Sequence, residues 1–358
     1  MKTLILVGGG HAHLYIVRAL LQEKVNFHIV LISPSRYQYY SGMFSGYAEG
    51  VYSEKDIRID LKDLCERANI SFLQESVDSF DPHLKKVLCK SGKSLPFDLI
   101  SFDVGSKSET NPSFQNHVVP IKPNYLFPKH IEDFKRSLRP VVIGGGAAGI
   151  ELALSMLSWR KTHLEQENVT LISSSRLLSS FGFLTSNKMK QIAKVKGLNV
   201  MEGEKVKNIT SNYVETEKQN RVNHTGVLLL TGPKSFDLFQ KTNVETDEKG
   251  FLVVNDHLQS VSYPFVFGAG DCVSIIKYIN LPKNGVYAVR QAPILWENIK
   301  NYMVGLPLAV FKPQKKFVAI ISTGNKEALF TYGRLSFHSK LAWNLKHYID
   351  QKYINKNT

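Results

Sequence analysis

Two stretches of this chain follow one local plan, and that repetition limits the folds open to it. Leu4-Ile5-Leu6-Val7 runs into Gly8-Gly9-Gly10 and then into apolar residues at helical spacing, Leu14, Val17 and Leu21. Val141-Val142-Ile143 runs into Gly144-Gly145-Gly146 and then into Ile150, Leu154 and Leu157. An apolar run that stops at glycine and resumes with a period near 3.6 is a strand, a tight turn and a helix. Each stretch is followed by another apolar run, Phe27 to Ile32 and Val169 to Ile172, which completes a strand-helix-strand unit. Such a unit requires a parallel sheet, so the expected class is α/β.

Gly144-x-Gly146-x-x-Gly149 is a complete GxGxxG in the setting its mechanism needs, after a strand and at the start of a helix. The first glycine permits the turn, the second lets the backbone approach a diphosphate, and the third lets the helix pack closely. The helix start then offers free N–H groups and a positive dipole end to the phosphates. The alternative is a glycine-rich turn with no ligand. The first copy keeps Gly8 and Gly10 but has His13 where the third glycine would stand. His11 and His13 point different ways on a helix, so packing or a phosphate hydrogen bond is expected of them, and no metal site.

The acidic residue that usually ends the second strand and holds ribose hydroxyls is absent from both units. Ser33-Pro34-Ser35-Arg36 and Ser173-Ser174-Ser175-Arg176 stand there instead. Arg176 without a carboxylate would tolerate a 2′-phosphate, which leaves NADH and NADPH both open; otherwise it is an exposed loop cation. Later, Phe267-Gly268-Ala269-Gly270-Asp271 ends a strand in two glycines and a carboxylate able to accept from a polyol such as the ribityl chain of a flavin. The Pro282-Lys283-Asn284-Gly285 segment opens a helix whose N-terminus would favour negative charge at the edge of a reduced flavin. A plain turn and helix is the alternative.

The chain has 358 residues, 43% hydrophobic and 21% charged, which excludes a disordered or fibrous chain and allows two or three compact units. Five of its 14 prolines fall between Pro112 and Pro140. The expected divisions are a first nucleotide domain over 1–111, a second over 112–232, a return to the first over 233–305, and a C-terminal α+β segment over 306–358. Strand-like runs at Gly250 to Val254, Pro264 to Gly268, Phe317 to Ile321 and Ala328 to Tyr332 precede an expected helix from Lys340 to Lys356. With 45 Lys and Arg against 31 Asp and Glu, the net charge of +14 suits phosphate-bearing cofactors or anionic lipid. No zinc finger or aromatic RNA-binding motif points to nucleic acid. The three cysteines, Cys65, Cys89 and Cys272, form no close pair, so a reducing compartment and buried inert thiols are expected. The apolar start is too short for a secretory signal, and no run is long enough for a transmembrane helix.

Taken in order, Gly8-Gly9-Gly10-His11-Ala12-His13, Gly144-Gly145-Gly146-Ala147-Ala148-Gly149-Ile150-Glu151 and Gly268-Ala269-Gly270-Asp271 resemble the FAD/NAD(P)-dependent pyridine nucleotide-disulfide oxidoreductases. Tyr40-Ser41-Gly42-Met43, the run Phe97 to Ser106, and the tail segments Phe311 to Gln314 and Leu345 to Asp350 are similar to one branch. That branch is the NADH dehydrogenase-like proteins, some of which occur fused to selenide, water dikinase; type II NADH dehydrogenases are more distant. The resemblance implies a glutathione-reductase-like fold, with the NAD(P) domain inserted in the FAD domain. It implies that Gly8, Gly10, His11, Ala12, Ser33, Gly105, Asp271 and Gly285 lie along FAD, and that Gly144, Gly146, Gly149 and Arg176 lie along NADH or NADPH. Glu151 is carried over as the candidate catalytic residue near nicotinamide and flavin, with helix-dipole complementation as its alternative.

The loop Tyr39 to Gly50, where relatives that use thiols keep cysteine, has none. The implied activity is therefore hydride transfer from NAD(P)H to flavin N5, and electrons onward to a quinone-like acceptor, with no redox disulfide. The other classes are a redox enzyme of selenium or sulfur metabolism and a non-catalytic flavin-binding protein. Leu341, Leu345, Tyr348 and Ile349 share one face of the expected terminal helix, with Lys340, Lys346, Lys352 and Lys356 nearby. Docking of that face on the core is the first expectation, and peripheral contact with anionic lipid the second. The expected location is cytoplasmic, with any membrane contact on the inner face of the cell membrane, and a homo-oligomer is left open.

Overall fold

The computed structural model describes residues 1–165 and 167–358. Leu4, Ile5 and Leu6 have no exposed surface, and the strand Thr3–Val7 that carries them lies at the centre of a five-stranded sheet. In spatial order the sheet runs Val266–Gly268, Leu99–Phe102, Thr3–Val7, His28–Ser33 and Ser71–Gln74, all parallel. A parallel sheet is covered on both faces, which is why these strands read as continuous apolar runs and not as alternating ones. The helices His11–Ala19 and Gly285–Val304 pack together against it.

A second parallel sheet has the order Val119–Pro120, Gly226–Leu229, Pro140–Ile143, Thr170–Ser173 and Asn199–Glu202. All its strands come from chain lying between Leu99–Phe102 and Val266–Gly268, so the second unit is inserted in the first. The two units also share a feature not read from the sequence. A three-stranded antiparallel meander precedes Leu99–Phe102 in the first, over 77–96, and Gly226–Leu229 in the second, over 206–223. The run Gly250 to Val254 does not extend the first sheet. Its strand Leu252–Val254 pairs in parallel with Val273–Ile275 as a separate ribbon beside the turn that holds Asp271.

The C-terminal segment is an antiparallel sheet of Ala319–Gly324, Glu327–Tyr332 and Leu335–Ser339, then the helix Lys340–Asn357, capped by the Ser339 side chain on Ala342 N–H. This helix docks, but not through the expected face. Ala342, Trp343, Asp350 and Ile354 are buried, whereas Leu341, Leu345, Tyr348 and Ile349 are 76, 42, 61 and 46% exposed. The inward face is fixed by polar anchors that hydropathy does not register: Asp350 bonds inward to Tyr40, and His347 to the Tyr52 hydroxyl. Lys346, counted among the outward cations, turns inward for the same reason. Among the described residues, no helix is long and apolar enough to cross a membrane.

Candidate functional site

The three strands Thr3–Val7, Leu99–Phe102 and Val266–Gly268 are neighbours in register, so the residues just past their carboxyl ends are brought together. Backbone bonds tie them: Asp103 N–H to Val7 O at 2.9 Å, Ala269 N–H to Phe102 O at 2.9 Å, and Gly10 N–H to Asp103 O at 3.2 Å. In open α/β sheets this edge is where ligands bind. Gly8 has φ +95°, and a Cβ there would lie 2.4 Å from Asp103 O, so the turn needs glycine. His13 fills the third-glycine position without loosening the contact. Its Nδ1–H donates to Gly8 O at 2.7 Å, and Nε2 accepts from Ser101 Oγ at 2.9 Å. Burial lowers its pKa to about 4, so the ring is neutral.

Asp271 sits beside this turn, accepting from Ser106 Oγ at 3.3 Å and from Lys122 Nζ at 3.4 Å. Neither contact is short. Gly105, next to Ser106, has φ +71°, and a Cβ there would meet nothing within 4 Å. Gly285 faces His11: a Cβ on it would lie 3.2 Å from His11 Nε2. The helix that starts at Gly285 already uses two of its free N–H groups, since the Asn284 side chain accepts from Val286 and Tyr287. Gln291, one turn further on, accepts from Gly270 N–H at 2.6 Å. Ser33 is buried at the end of its strand, beside Gly9.

The second turn has the geometry its motif implies. Gly144 has φ +131°, and a Cβ would lie 2.3 Å from Leu230 O; at Gly149 a Cβ would lie 2.0 Å from Gly144 O. At Gly146, by contrast, a Cβ meets nothing within 4 Å, and the helix Ala147–His163 has no side chain capping its start. An uncapped N-terminus facing open space is a cradle for an anion. Arg176 is exposed at its rim, with its guanidinium 5.1 Å from the centre of the Phe183 ring. Both turns fit a dinucleotide: the second by its open N-terminus, the first by the space at Gly105 and the loosely held Asp271 carboxylate.

Between the two turns lies a group of polar side chains whose association the sequence did not reveal; Glu151, His11, Tyr40 and Lys346 were read there only for separate features. Glu151 accepts from Ser322 N–H at 2.8 Å, and burial raises its pKa. Lys346 donates to Asp350 at 2.6 Å and to Gly42 O; burial opposes its charge, but Asp350 and Glu151 outweigh that and hold its pKa raised. Asp350 also accepts from Tyr40 OH at 3.0 Å. Tyr40 stacks on Tyr353 at 4.3 Å, and Tyr353 OH bonds His11 Nδ1 at 2.5 Å. Burial brings the His11 pKa down to about 4, against the pull of Asp271. Each turn therefore has one member in this group, and the terminal helix joins them. A lysine and an aspartate four residues apart in an otherwise amphipathic helix were the available signal.

All three cysteines are buried and free. Burial pushes the Cys65 and Cys272 thiols up to about 12 and raises Cys89 as well, so none is a ready thiolate. Among the described residues no group of His, Cys, Asp and Glu is placed to hold a metal ion.

Comparison with known proteins finds similar chains and a similar fold. Ferroptosis suppressor protein 1 of Xenopus tropicalis is 25% identical over 323 residues, 86% of this chain and 83% of that protein. A probable NADH dehydrogenase of Dictyostelium discoideum is 24% identical over 338 residues, 84% of this chain and 74% of that one. Among solved structures, the sulfide:quinone oxidoreductase of Aquifex aeolicus superposes with a TM-score of 0.83 at 20% identity, over 100% of this chain and 91% of its own. The pyridine nucleotide-disulphide oxidoreductase family model matches residues 2–292, and the chain belongs to that family.

Proposed function

We propose that this protein is an FAD-dependent NAD(P)H oxidoreductase that passes electrons to a quinone-like acceptor without a redox disulfide. The observation that carries the reading is the content of the space between the two nucleotide turns. Where a thiol relay needs a cysteine pair, this chain has Glu151, Lys346 and Asp350, with its cysteines buried elsewhere. The names of two similar proteins, a probable NADH dehydrogenase and a mitochondrial sulfide:quinone oxidoreductase of Dictyostelium discoideum, support the same direction.

FAD, when bound, supplies the two-electron chemistry, taking a hydride from NAD(P)H and releasing electrons to the acceptor. The chain's own residues position it. Gly8, Gly10, His11, Ala12, Ser33, Gly105 and Gly285 line its path, and Asp271 accepts from its polyol chain. Gly144, Gly146 and Gly149 receive the NAD(P)H diphosphate, and Arg176 sits where a ribose or its 2′-phosphate would end. NAD(P)H and a proton reduce a quinone to its hydroquinone, so one proton must come from outside the nicotinamide. The Lys346 ammonium, held charged by Asp350 and Glu151, would supply that proton.

A lipid-soluble acceptor fits a protein that touches a membrane. The exposed face of Leu341, Leu345, Tyr348 and Ile349, with Lys340, Lys352 and Lys356 beside it, would lie on anionic lipid at the inner face of the cell membrane. Anaerobic stopped-flow tests the overall reading. Protein reduced with one NADH or NADPH should regain its flavin absorbance on mixing with a soluble quinone. Failure of quinone to restore it would remove the proposed acceptor.

A further inference from the structure

Asp103 follows the central strand Leu99–Phe102 and is 3% exposed. Its carboxylate fills the gap between two glycine turns: a Cβ on Gly10 would lie 2.3 Å from it, and a Cβ on Gly270 2.6 Å. The helix His11–Ala19 has no cap from its own N-cap residue, Gly10. Asp103 takes that place from another strand, with Oδ2 accepting from Ala12 N–H at 2.7 Å and His13 N–H at 3.2 Å. A protein anion thus occupies the helix start that a dinucleotide diphosphate requires.

The fold does not demand this acid. The second unit has the same turn, and its equivalent residue is identified by the same backbone bond: Leu230 N–H donates to Ile143 O as Asp103 N–H does to Val7 O. A Cβ on Gly144 would strike Leu230 O as one on Gly8 would strike Asp103 O. At that position the twin unit carries a leucine and leaves its N-terminus open. Asp103 is therefore a difference between two nucleotide sites of one plan.

We propose that Asp103 is a ligand of the FAD diphosphate, meeting it in protonated form as a hydrogen-bond donor, so that coenzyme binding takes up a proton. This rests on the flavoprotein reading above. Two anions competing for Ala12 and His13 N–H would repel each other at short range, whereas a neutral carboxyl donates to a phosphate oxygen and keeps its place. The groups that face Asp103 do not offset its charge. They are the Asp271 carboxylate, the Cys272 thiol, the Tyr353 phenol of the terminal helix, and His13, which is neutral. Burial raises the Asp103 pKa to about 7, with the two N–H bonds opposing and Asp271 adding to the rise. Near neutral pH the free protein thus holds Asp103 only partly protonated, and the diphosphate completes the protonation.

The test is calorimetric titration of apoprotein with FAD at pH 8 in Tris and in HEPES, whose ionisation enthalpies differ, with Kd followed by flavin fluorescence from pH 6 to 9. The diphosphate of FAD does not titrate in this range. Wild type should take up close to one proton per FAD, and its Kd should rise toward tenfold per pH unit above 7. Asp103→Asn should bind with no uptake and a flat Kd, while Asp271→Asn should keep the uptake. No uptake by wild type, or uptake retained in Asp103→Asn, would overturn the proposal; the wild-type proton count decides alone if the variant does not fold. Absence of FAD binding at every pH would instead overturn the flavoprotein reading, and this role with it.

Discussion

The Lys346 ammonium and the Asp350 carboxylate lie 2.6 Å apart on adjacent turns of the terminal helix, with their side chains only 13 and 6% exposed. Through Gly42 O and Tyr40 OH the pair also ties that helix to the first nucleotide unit. Removing one partner of a buried pair leaves a charge with no counterion, which costs about 3–5 kcal/mol, whereas replacing both with apolar groups is close to neutral. Lys346→Met should therefore lose about 3 kcal/mol in urea unfolding, and Lys346→Met with Asp350→Leu should recover most of it. The double variant should still be reduced by NAD(P)H at the wild-type rate but be reoxidised by quinone more slowly. Equal reoxidation rates would remove Lys346 from proton delivery.

The glycines of the second turn should separate folding from binding. A Cβ on Gly149 would lie 2.0 Å from Gly144 O, so Gly149→Ala should cost about 3 kcal/mol of stability. Gly146 has φ −77° and open space before it, so Gly146→Ala should stay within about 0.5 kcal/mol of wild type in unfolding. Its affinity for NADH should nevertheless fall about tenfold or more, because the methyl group takes the space of the diphosphate. Unchanged NADH affinity in Gly146→Ala would move the nucleotide away from this turn.

His13 predicts a pH effect with a defined sign. The unfolded imidazole titrates near 6.5 and the folded one at about 4, so between these values the unfolded chain binds the extra proton. The contribution is intact above pH 6.5 and is lost as pH falls toward 4, at about 1.4 kcal/mol per pH unit. His11 adds in the same sense, while Asp103, whose pKa is raised, acts oppositely. His13→Gln keeps a donor for Gly8 O and an acceptor for Ser101 without titrating. Its unfolding free energy should slope less steeply with pH than wild type by about one proton; identical slopes would contradict the neutral buried ring.

What could be seen in the sequence was what chain geometry makes local. Gly144, Gly146 and Gly149 act within one turn, so their spacing alone announced a strand, a diphosphate cradle and a helix. Asp271 was visible for the same reason, as a carboxylate three residues past a buried strand. Asp103 stands one residue past another buried strand and passed unnoticed, because its partners Ala12 and His13 lie at the far end of the unit and only strand order brings them together. The inward face of the terminal helix was misjudged because hydropathy ranks Leu341 above Lys346. The Gly42 carbonyl that draws Lys346 inward, and the Tyr40 hydroxyl on its neighbour Asp350, belong to the tertiary structure.

The outward face of that helix gives a separate expectation. Leu345 and Ile349 are 42 and 46% exposed, and their replacement by Glu should change stability by no more than about 0.5 kcal/mol. Co-sedimentation with vesicles containing anionic lipid should fall to background in Leu345→Glu with Ile349→Glu, and wild-type binding should weaken as salt rises. Vesicle binding equal to wild type would assign the membrane contact to another surface.

Anaerobic titration of the FAD-loaded protein with NADH or NADPH, followed by the loss of flavin absorbance, counts the electrons that the protein can store. A flavin with no thiol partner is filled by one equivalent, whereas a flavin joined to a redox disulfide needs two. One equivalent, with the three cysteines unchanged to thiol reagents before and after, is the result expected here. Bleaching that requires two equivalents, or no bleaching with either nucleotide, would contradict it.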